Sequence, residues 1–383
     1  MKKSISLILG LLMLLCMAAC QPQQPDGTTT VPTTETTAAT TVAQVDGIQN
    51  IILIIGDGTG LAQIEAGELC SGEKFVFRSW ENTLSNTNSV NNAGQPVTLT
   101  DSAAGGTALA TGSLTTNGRV GQNKDGKNLK TILDYAGEDY GKATGVVTTD
   151  EISGATPAAF SSHASSRQNT EAILTAQFYS NVTLLCGQES TAAMDAYRMS
   201  SGDYTLCDSI SDVNAKMDAE KAYWQLPLSK DLSTCVKPAL EYLSQDKDGF
   251  VLMIEQAHVD KFSHSNDFDG MQKCANDLNE TVQTVLEWIG DREDTAILIT
   301  ADHETGGLSV SADPIYGNSY TSDSGSKVYY QWTTTGHTQT EVGVWVYGFE
   351  PNFEKYYLEG TPGVIKNTSV FEIMLDLLQN PEQ

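Results

Sequence analysis

Basic residues are scarce in this chain of 383 residues, in which 22 Lys and Arg stand against 48 Asp and Glu, a formal net charge of −26 at pH 7. A nucleic-acid-binding surface requires clustered Lys and Arg, so we expect no nucleic-acid partner. The acidity does not exclude small phosphate substrates, because bound metal ions can reverse the local field. Hydrophobic residues make up 40% and charged residues 18%, which excludes wholesale disorder and collagen-like or coiled-coil chains.

Cysteine is also rare, and the absence of any C-x-x-C pair excludes a zinc ribbon. Beyond the first twenty residues there are five cysteines, at positions 70, 186, 207, 235 and 274. An odd number leaves at least one thiol unpaired or paired with another chain. Export would permit disulfides, and Cys186–Cys207 is the pair to test first.

The first twenty residues predict a secretory signal rather than part of the fold. Lys2 and Lys3 precede an apolar run at residues 5–17, which is shorter than the roughly 20 residues that span a bilayer. Ala18 and Ala19 then lead to Cys20, a pattern typical of bacterial lipoprotein signals, in which the cysteine becomes the lipidated N-terminus. An ordinary cleavage site with an incidental cysteine is the alternative.

Residues 21–47 predict a flexible tether. Nine threonines fall between Thr28 and Thr41, the segment also contains Pro22, Pro25 and Pro32, and it has no apolar period. Such a segment has no packed core that could offset the entropy of ordering. We interpret it as a stalk that lifts the following domain off a membrane; an O-glycosylated stalk is an alternative.

The remainder, residues 48–383, predicts one large α/β domain. Short apolar runs typical of buried parallel strands lie at 50–55, 144–149, 182–186, 250–254, 296–300 and 342–347. Helical patterns lie between or after them at 129–136, 168–179, 235–244, 271–289 and 369–379. This alternation predicts a mostly parallel central sheet with helices on both faces. No internal repeat or linker interrupts the span.

Polar side chains collect where these predicted strands end. They are Asp57 after the first run, Glu255 with Asp260 and His264 after the fourth, and Asp302-His303 after the fifth. In open α/β sheets, ligands bind beyond the carboxyl ends of the strands. Singly, each residue has an ordinary explanation as a turn former, a solvated pair or a helix cap. Together, imidazoles and carboxylates without thiolates suit zinc held by nitrogen and oxygen ligands.

A second group of residues is suited to phosphate. Residues 100–108 are small and polar and predict a helix start, where backbone N–H groups and the helix dipole favour an anion. Ser102 would lie at that N-terminus, although a simple N-cap is the alternative. Further on, Arg167 follows residues 155–159. Its planar guanidinium can hold two phosphoryl oxygens at once, but an ordinary surface arginine is equally consistent with the sequence.

Taken together, these motifs resemble those of the alkaline phosphatase family in order, spacing and local residues. They run from residue 51 to about residue 348. The segments that carry the resemblance are Gly56-Asp57-Gly58, Asp101-Ser102-Ala103, Ala155-Thr156-Pro157 with Arg167, Glu255 through Asp260 to His264, Thr300-Ala301-Asp302-His303, and Gly336-His337-Thr338. The C/S-x-P-x-R motif of the related sulfatases is absent at Ser102.

The resemblance implies three sets of metal ligands, for a first zinc, a second zinc and a magnesium. In that order they are Asp260, His264 and His337; Asp57, Asp302, His303 and Ser102; and Asp57, Thr156 and Glu255. It also implies that Ser102 is the nucleophile, that Arg167 binds the phosphate and that Asp101 orients the arginine. His163 and His258 match no role in the family.

The implied activity is the hydrolysis of phosphate monoesters through a phosphoserine intermediate, with inorganic phosphate as product. The signal and tether add the expectation of an exported enzyme, lipid-anchored through Cys20 to the outer face of a bacterial membrane; a secreted or periplasmic protein is the alternative. The resemblance also allows a homodimer. A substrate-binding lipoprotein and a phosphodiesterase are competing functions, which assays on mono- and diesters would distinguish.

One position departs from the family. Gly154 stands two residues before Thr156, where alkaline phosphatases usually have an Asp or His that supports the magnesium from outside its ligand shell. Groups of this kind typically change metal affinity or activity 10–100-fold. We therefore expect a weakly held magnesium, and we expect Lys261, beside Asp260, to lack its usual acidic partner unless Ser153 or Asp150 replaces it.

Overall fold

A computed structural model describes residues 47–200, 202–226 and 231–382. The predicted signal and all but the last residue of the predicted tether lie outside the described residues. Among the described helices, none is both long and apolar enough to cross a membrane.

Short strands make up the described β-structure. In chain order they are β1 Asn50–Gly56, β2 Glu81–Ser85, β3 Ser89–Val90, β4 Pro96–Val97, β5 Ala143–Thr148, β6 Leu184–Gln188, β7 Thr205–Cys207, β8 Ala222–Leu226, β9 Phe250–Gln256, β10 Thr295–Thr300, β11 Glu304–Thr305, β12 Ser309–Ser311, β13 Asn318–Thr321, β14 Lys327–Gln331, β15 His337–Thr338, β16 Val342–Tyr347, β17 Tyr357–Leu358 and β18 Thr361–Ile365.

Helices connect most of these strands. In chain order they are α1 Leu61–Ser71, α2 Ser102–Thr111, α3 Ile132–Asp134, α4 Ala155–Ser161, α5 Thr170–Phe178, α6 Thr191–Met199, α7 Ile210–Ala215, α8 Ser233–Leu243, α9 His258–His264, α10 Phe268–Ile289 and α11 Thr368–Gln379. Two 3₁₀ turns, Val76–Ser79 and Phe353–Tyr356, and a π-helical turn, Tyr135–Asp139, complete the helical structure described.

The main sheet has the strand order β17-β18-β2-β16-β10-β1-β9-β5-β6-β8-β7. Seven of its neighbouring pairs are parallel and three are antiparallel. The antiparallel pairs lie on one side of the sheet, where β16 pairs with β10 and β2 and where β17 pairs with β18. The predicted mostly parallel sheet is therefore confirmed.

Helices cover both faces of this sheet, as the apolar strands require. In β1, Ile51, Leu53 and Ile55 belong to a core cluster that includes residues of α2, α4, α5 and α11. The alternate residues Ile52 and Ile54 belong to a second cluster with residues of α1, α8 and α10. Successive side chains of a strand point to opposite faces, so a strand that is apolar at every position needs a helical layer on each side.

Several local predictions were wrong in detail. The strand predicted at 182–186 is Leu184–Gln188. The helix predicted at 129–136 begins only at Ile132, where Thr131 caps it, and soon widens into the π-helical turn. The Cys186–Cys207 disulfide is also wrong, because Cys186 and Cys207 both lie opposite Trp224, on strands that flank β8. Two strand spacings separate their Cα atoms by roughly 10 Å, beyond disulfide reach, and both residues are buried free thiols.

Candidate active site

The predicted polar residues meet at the carboxyl ends of four adjacent strands, β10, β1, β9 and β5. Ile55 of β1 lies opposite both Thr300 of β10 and Glu255 of β9. The three strands therefore end level with one another, and the residues that follow them enter the same space. This is the edge at which open α/β sheets bind their ligands.

The turn after β1 brings the loop close to α9. Gly58 has a φ of +68°, and a Cβ at this position would lie 2.7 Å from the Cβ of Asp260. A larger residue would be strained by the left-handed backbone and would collide with Asp260. The glycine thus lets Asp57, on the loop, and Asp260, on the helix, share one site.

A first cluster consists of Asp57, Asp302 and His303, whose ligand atoms all lie within 4.8 Å of one another. All three residues are buried, and Asp57 Oδ1 and Asp302 Oδ2 make no hydrogen bond. Burial, followed by the charges of Asp302, Asp260 and Glu255, raises the pKa of Asp57 well above its usual range. Buried carboxylate oxygens without partners are costly unless a cation is bound, so this set fits a metal ion such as zinc.

A second cluster consists of Asp260, His264 and His337, whose ligand atoms also lie within 4.8 Å of one another. Helix α9 presents Asp260 and His264 on one face, while His337 comes from β15. The Nε2 atoms of the two histidines are only 3.2 Å apart. Two imidazole lone pairs at this distance repel unless a proton or a cation lies between them, so this set also fits a metal ion.

The electrostatics of the second cluster differ from one residue to the next. The hydrogen bond that His264 donates to the carboxylate of Asp260 raises the pKa of this histidine to about 9. Burial and the neighbouring His303 lower the pKa of His337. Burial opposes ionisation of Asp260, but hydrogen bonds from His264 and Thr305 outweigh it and hold the pKa of this carboxyl below its usual value. Asp260 is therefore the anionic member of the set.

Ser102 is the first residue of α2 and lies above the first cluster. Its Oγ is 3.2 Å from His303 Nε2. The preceding residue, Asp101, caps the helix by accepting a hydrogen bond from Ala104 N at 3.0 Å. Asp101 Oδ2 also lies 3.4 Å from Arg167 Nη1. A hydroxyl, a helix N-terminus and a guanidinium thus face the same space.

Asp57, Thr156 and Glu255, the predicted magnesium ligands, also lie near one another. Burial raises the pKa of Glu255 to about 8, although a hydrogen bond from Thr148 lowers it. The Thr156 hydroxyl is close enough to Glu255 to lower that pKa further, but it makes no hydrogen bond of full geometry. Asp57 is close enough to Glu255 for the charge of Glu255 to raise its pKa. A buried hydroxyl and two buried carboxyls in this arrangement fit an oxygen-coordinated cation.

Of the alternatives for Lys261, the structure shows the one in which Asp150 replaces the missing acidic partner. Lys261 Nζ donates to Asp150 Oδ1 at 2.6 Å. The other oxygen, Asp150 Oδ2, lies 2.9 Å from the point where a Cβ on Gly154 would stand. Asp150 therefore fills the space in front of the glycine, whereas Ser153 turns to Glu151, with its Oγ 3.3 Å from Glu151 Oε2.

A family model described as alkaline phosphatase matches residues 48–194 and 211–331. The chain belongs to the alkaline phosphatase family. It is 31% identical over 297 residues to "Alkaline phosphatase 3" of Bacillus subtilis strain 168, an alignment that covers 71% of this chain and 64% of the relative. The chain thus spans slightly less than two thirds of that protein's length.

Further relatives of the family agree with this assignment. The alkaline phosphatase of Escherichia coli K12 is 28% identical over 331 residues, covering 67% of this chain and 70% of the relative. Among solved structures, the alkaline phosphatase of the Antarctic bacterium TAB5 superimposes with a TM-score of 0.73 at 24% identity, covering 87% of this chain and 99% of that one. This likeness confirms an alkaline phosphatase-like fold.

Within this family fold, six of the predicted ligands lie in two clusters, Ser102 lies beside His303 of the first cluster, and Arg167 lies beside Asp101. The two histidines without a predicted role lie elsewhere in the hydrogen-bond network: His163 Nε2 is 2.7 Å from Leu129 O, and His258 Nδ1 is 3.0 Å from Thr149 Oγ1.

Sequence reasoning missed Thr305, and it named Asp150 only as one of two alternatives for the partner of Lys261. Asp150 faces Lys261, and the Thr305 hydroxyl lies between the two clusters. Their only signal was position, since Asp150 comes two residues after the end of β5 and Thr305 comes two residues after His303.

Proposed function

We propose that the protein is an alkaline phosphatase that hydrolyses phosphate monoesters through a phosphoserine on Ser102, with two zinc ions and one magnesium. The observation that carries the proposal is the position of the Ser102 hydroxyl. It is buried, begins a helix and lies 3.2 Å from a histidine of one candidate metal cluster. A second cluster and a guanidinium lie nearby, which together suit phosphoryl transfer.

Under this proposal the protein's own groups bind and orient the phosphate. Arg167 binds non-bridging oxygens with its planar N–H groups, and Asp101, which is fixed by hydrogen bonds from Gly118 N at 2.9 and 3.0 Å, holds the guanidinium in place. The N-terminus of α2 supplies backbone dipoles that favour the anion. Ser102 Oγ gives its proton to water and attacks phosphorus from the side of the first cluster, while the bond to the ester oxygen breaks on the opposite side and the alcohol leaves with a proton from water. Water then hydrolyses the phosphoserine, which restores the Ser102 hydroxyl and releases inorganic phosphate.

The metal ions would be held by the ligand sets described above. The first zinc would be held by the second cluster, Asp260, His264 and His337, and the second zinc by the first cluster, Asp57, Asp302 and His303. Bound there, zinc supplies Lewis acidity and lowers the pKa of oxygen ligands. The magnesium would be held by Asp57, Thr156 and Glu255. With Gly154 in place of the usual supporting side chain, we propose that this third ion is held more weakly than the zinc ions.

The broad substrate class is a phosphate monoester, because the polar groups converge on the phosphoryl position. A diester carries a second substituent on phosphorus that would compete for the space facing Arg167. For the cell location, we propose from the sequence that the protein is exported and is attached through a lipidated Cys20 to the outer face of a bacterial membrane.

The test is hydrolysis of p-nitrophenyl phosphate and bis-p-nitrophenyl phosphate by purified protein at pH 8–10, with zinc and magnesium added or removed. We expect fast monoester and slow diester hydrolysis, and a stable phosphate label on Ser102 after acid quenching with radioactive phosphate. Absence of monoester hydrolysis in zinc-loaded protein would favour a binding lipoprotein. A higher rate on the diester would favour a phosphodiesterase.

A further inference from the structure

The three imidazoles of the two clusters share one orientation. Each turns Nε2 toward the interior of its cluster and Nδ1 toward an acceptor outside it. His264 Nδ1 lies 2.6 Å from Thr335 O, and His337 Nδ1 lies 2.8 Å from Thr100 O. A carbonyl oxygen can only accept, so Nδ1 carries a proton in both rings, and Nε2 is the ring atom left to face a metal ion.

His303 differs because its Nδ1 faces a hydroxyl, which can either donate or accept. The hydroxyl is Thr305 Oγ1, at 3.2 Å. The same oxygen lies 2.5 Å from Asp260 Oδ1. An ionised carboxylate only accepts hydrogen bonds, so the Thr305 hydroxyl uses its single proton to donate a hydrogen bond to Asp260. The Thr305 oxygen is then left to accept a hydrogen bond from the Nδ1–H group of His303.

We propose that Thr305 is a positioning residue that couples the two metal clusters. Its hydroxyl fixes the Nδ1–H form of His303, so that Nε2 faces Asp57, Asp302 and Ser102. The same hydroxyl orients the carboxylate of Asp260 in the other cluster. The inference rests on the proposed metal-dependent function, because the two clusters matter only as ion sites.

The hydroxyl is held rigidly enough for this role. Thr305 is fully buried, its N–H donates to Gly58 O at 3.1 Å, and its carbonyl accepts from Gln63 Nε2 at 2.7 Å. Strand β11 also pairs Thr305 directly with His337, a member of the second cluster. A group that is clamped on both sides of its backbone has little freedom to seek other hydrogen bonds.

Of the three oxygens that contact the imidazole Nδ1 atoms, only that of Thr305 belongs to a side chain. Main-chain carbonyls fix His264 and His337 and cannot be removed by substitution, whereas the partner of His303 can. Outer partners of metal-binding histidines typically change metal affinity or activity 10–100-fold. The Thr305 hydroxyl also contacts Asp260. Removing it should therefore affect the second cluster as well as the first, which contains His303.

The experiment compares Thr305→Val, which keeps the shape but loses the hydroxyl, with Thr305→Ser, which keeps the hydroxyl. Zinc affinity is measured by competition with a chromophoric chelator, without any substrate. We expect Thr305→Val to weaken both zinc ions by about 10–100-fold and Thr305→Ser to stay within a few-fold of wild type. Thr281→Val is the matched control, because Thr281 is fully buried and its hydroxyl has no hydrogen-bond partner.

Wild-type affinity for both zinc ions in Thr305→Val would overturn the proposal, as would equal losses in Thr305→Ser and Thr305→Val. Weakening of one ion alone would refute the coupling. If Thr305→Val does not fold, NMR of the zinc-loaded wild-type protein still decides, since the Nδ1 proton of His303 must exchange slowly with solvent when it is hydrogen-bonded to Thr305, and rapid exchange would overturn the proposal. A protein that binds two zinc ions but hydrolyses no monoester would refute the proposed function and leave these measurements interpretable.

Discussion

Substituting Asp150 by Asn tests whether this carboxylate replaces the side chain that is missing at Gly154. Asp150 Oδ1 accepts from Lys261, and Oδ2 stands against Gly154. Its charge adds to burial in raising the pKa of Glu255, one of the proposed magnesium ligands. Asp150 is therefore close enough to contribute negative charge to the third ion without being one of the proposed ligands.

The expected effects on stability and on metal binding differ in size. The side chains of Lys261 and Asp150 are 44% and 26% exposed, and an ion pair of this kind contributes only about 0.2–1 kcal/mol to stability. Asn keeps the shape but removes the charge and leaves the Lys261 ammonium unpaired. Groups that support metal ligands from outside the ligand shell typically change affinity 10–100-fold, so magnesium should bind about 10–100-fold more weakly. This corresponds to a loss of about 1.4–2.7 kcal/mol of binding free energy.

The assay is calorimetric titration of magnesium into zinc-loaded protein, followed by magnesium stimulation of p-nitrophenyl phosphate hydrolysis. Asp125→Asn serves as the control, because it breaks an exposed ion pair of similar length, 2.7 Å, with Lys124. Magnesium affinity in Asp150→Asn equal to that of wild type would refute the compensation.

A second substitution sharpens this test. In wild type, Gly154→Asp would bring its Cβ to 2.9 Å from Asp150 Oδ2, so two carboxylates would compete for one space. We expect Gly154→Asp to tighten magnesium more in the Asp150→Asn background than in wild type. Equal gains in both backgrounds would show that the two positions do not substitute for each other.

Three further predictions concern other parts of the chain. Ser102→Ala should lower turnover by orders of magnitude while metal content is largely kept; turnover equal to wild type would contradict the assignment of the nucleophile. Cys20→Ser should release active enzyme into the medium if Cys20 carries lipid, and an unmodified Cys20 in the wild-type protein would contradict the anchor. Burial raises the pKa of Asp277 to about 7, so the folded chain binds this proton more tightly than the unfolded chain, where an Asp titrates near 4. The free energy of unfolding should therefore fall as pH rises from about 4 to 7; urea titrations should show a shallower fall in Asp277→Asn, and unchanged pH dependence would contradict burial of the charge.

The polar edge of the sheet could be predicted because the central strands are buried on both faces. Strands β1, β9 and β10 are uninterrupted apolar runs, so Asp57 and Asp302-His303 stand out directly after β1 and β10, and Glu255 near the end of β9. Peripheral strands carry a weaker signal. In β2, the exposed Glu81 and Asn82 precede two buried positions, and a run of this kind resembles a loop until its partner strand is known.

The predicted cysteine pair failed for a related reason. The spacing of Cys186 and Cys207 along the chain carries no information about strand order, and β8, which separates them, comes later in the sequence. Inserting a strand between two sequence neighbours requires a crossover that local patterns do not encode.

The ligands of the site and the groups that support them differ in how far the sequence reveals them. Ligands are constrained in type and in position by the ion, so Asp260, His264 and His337 form a pattern that can be read from the chain. A supporting group needs only to bring a hydrogen bond or a charge to the right point, and many positions can do so. Gly154 and Asp150 illustrate this: a side chain is absent at the start of α4, and a carboxylate four residues earlier reaches the same space and the same lysine. Variation within such a site should therefore concentrate in its supporting groups, and in this chain Asp150 and Thr305 are the residues where that expectation can be measured.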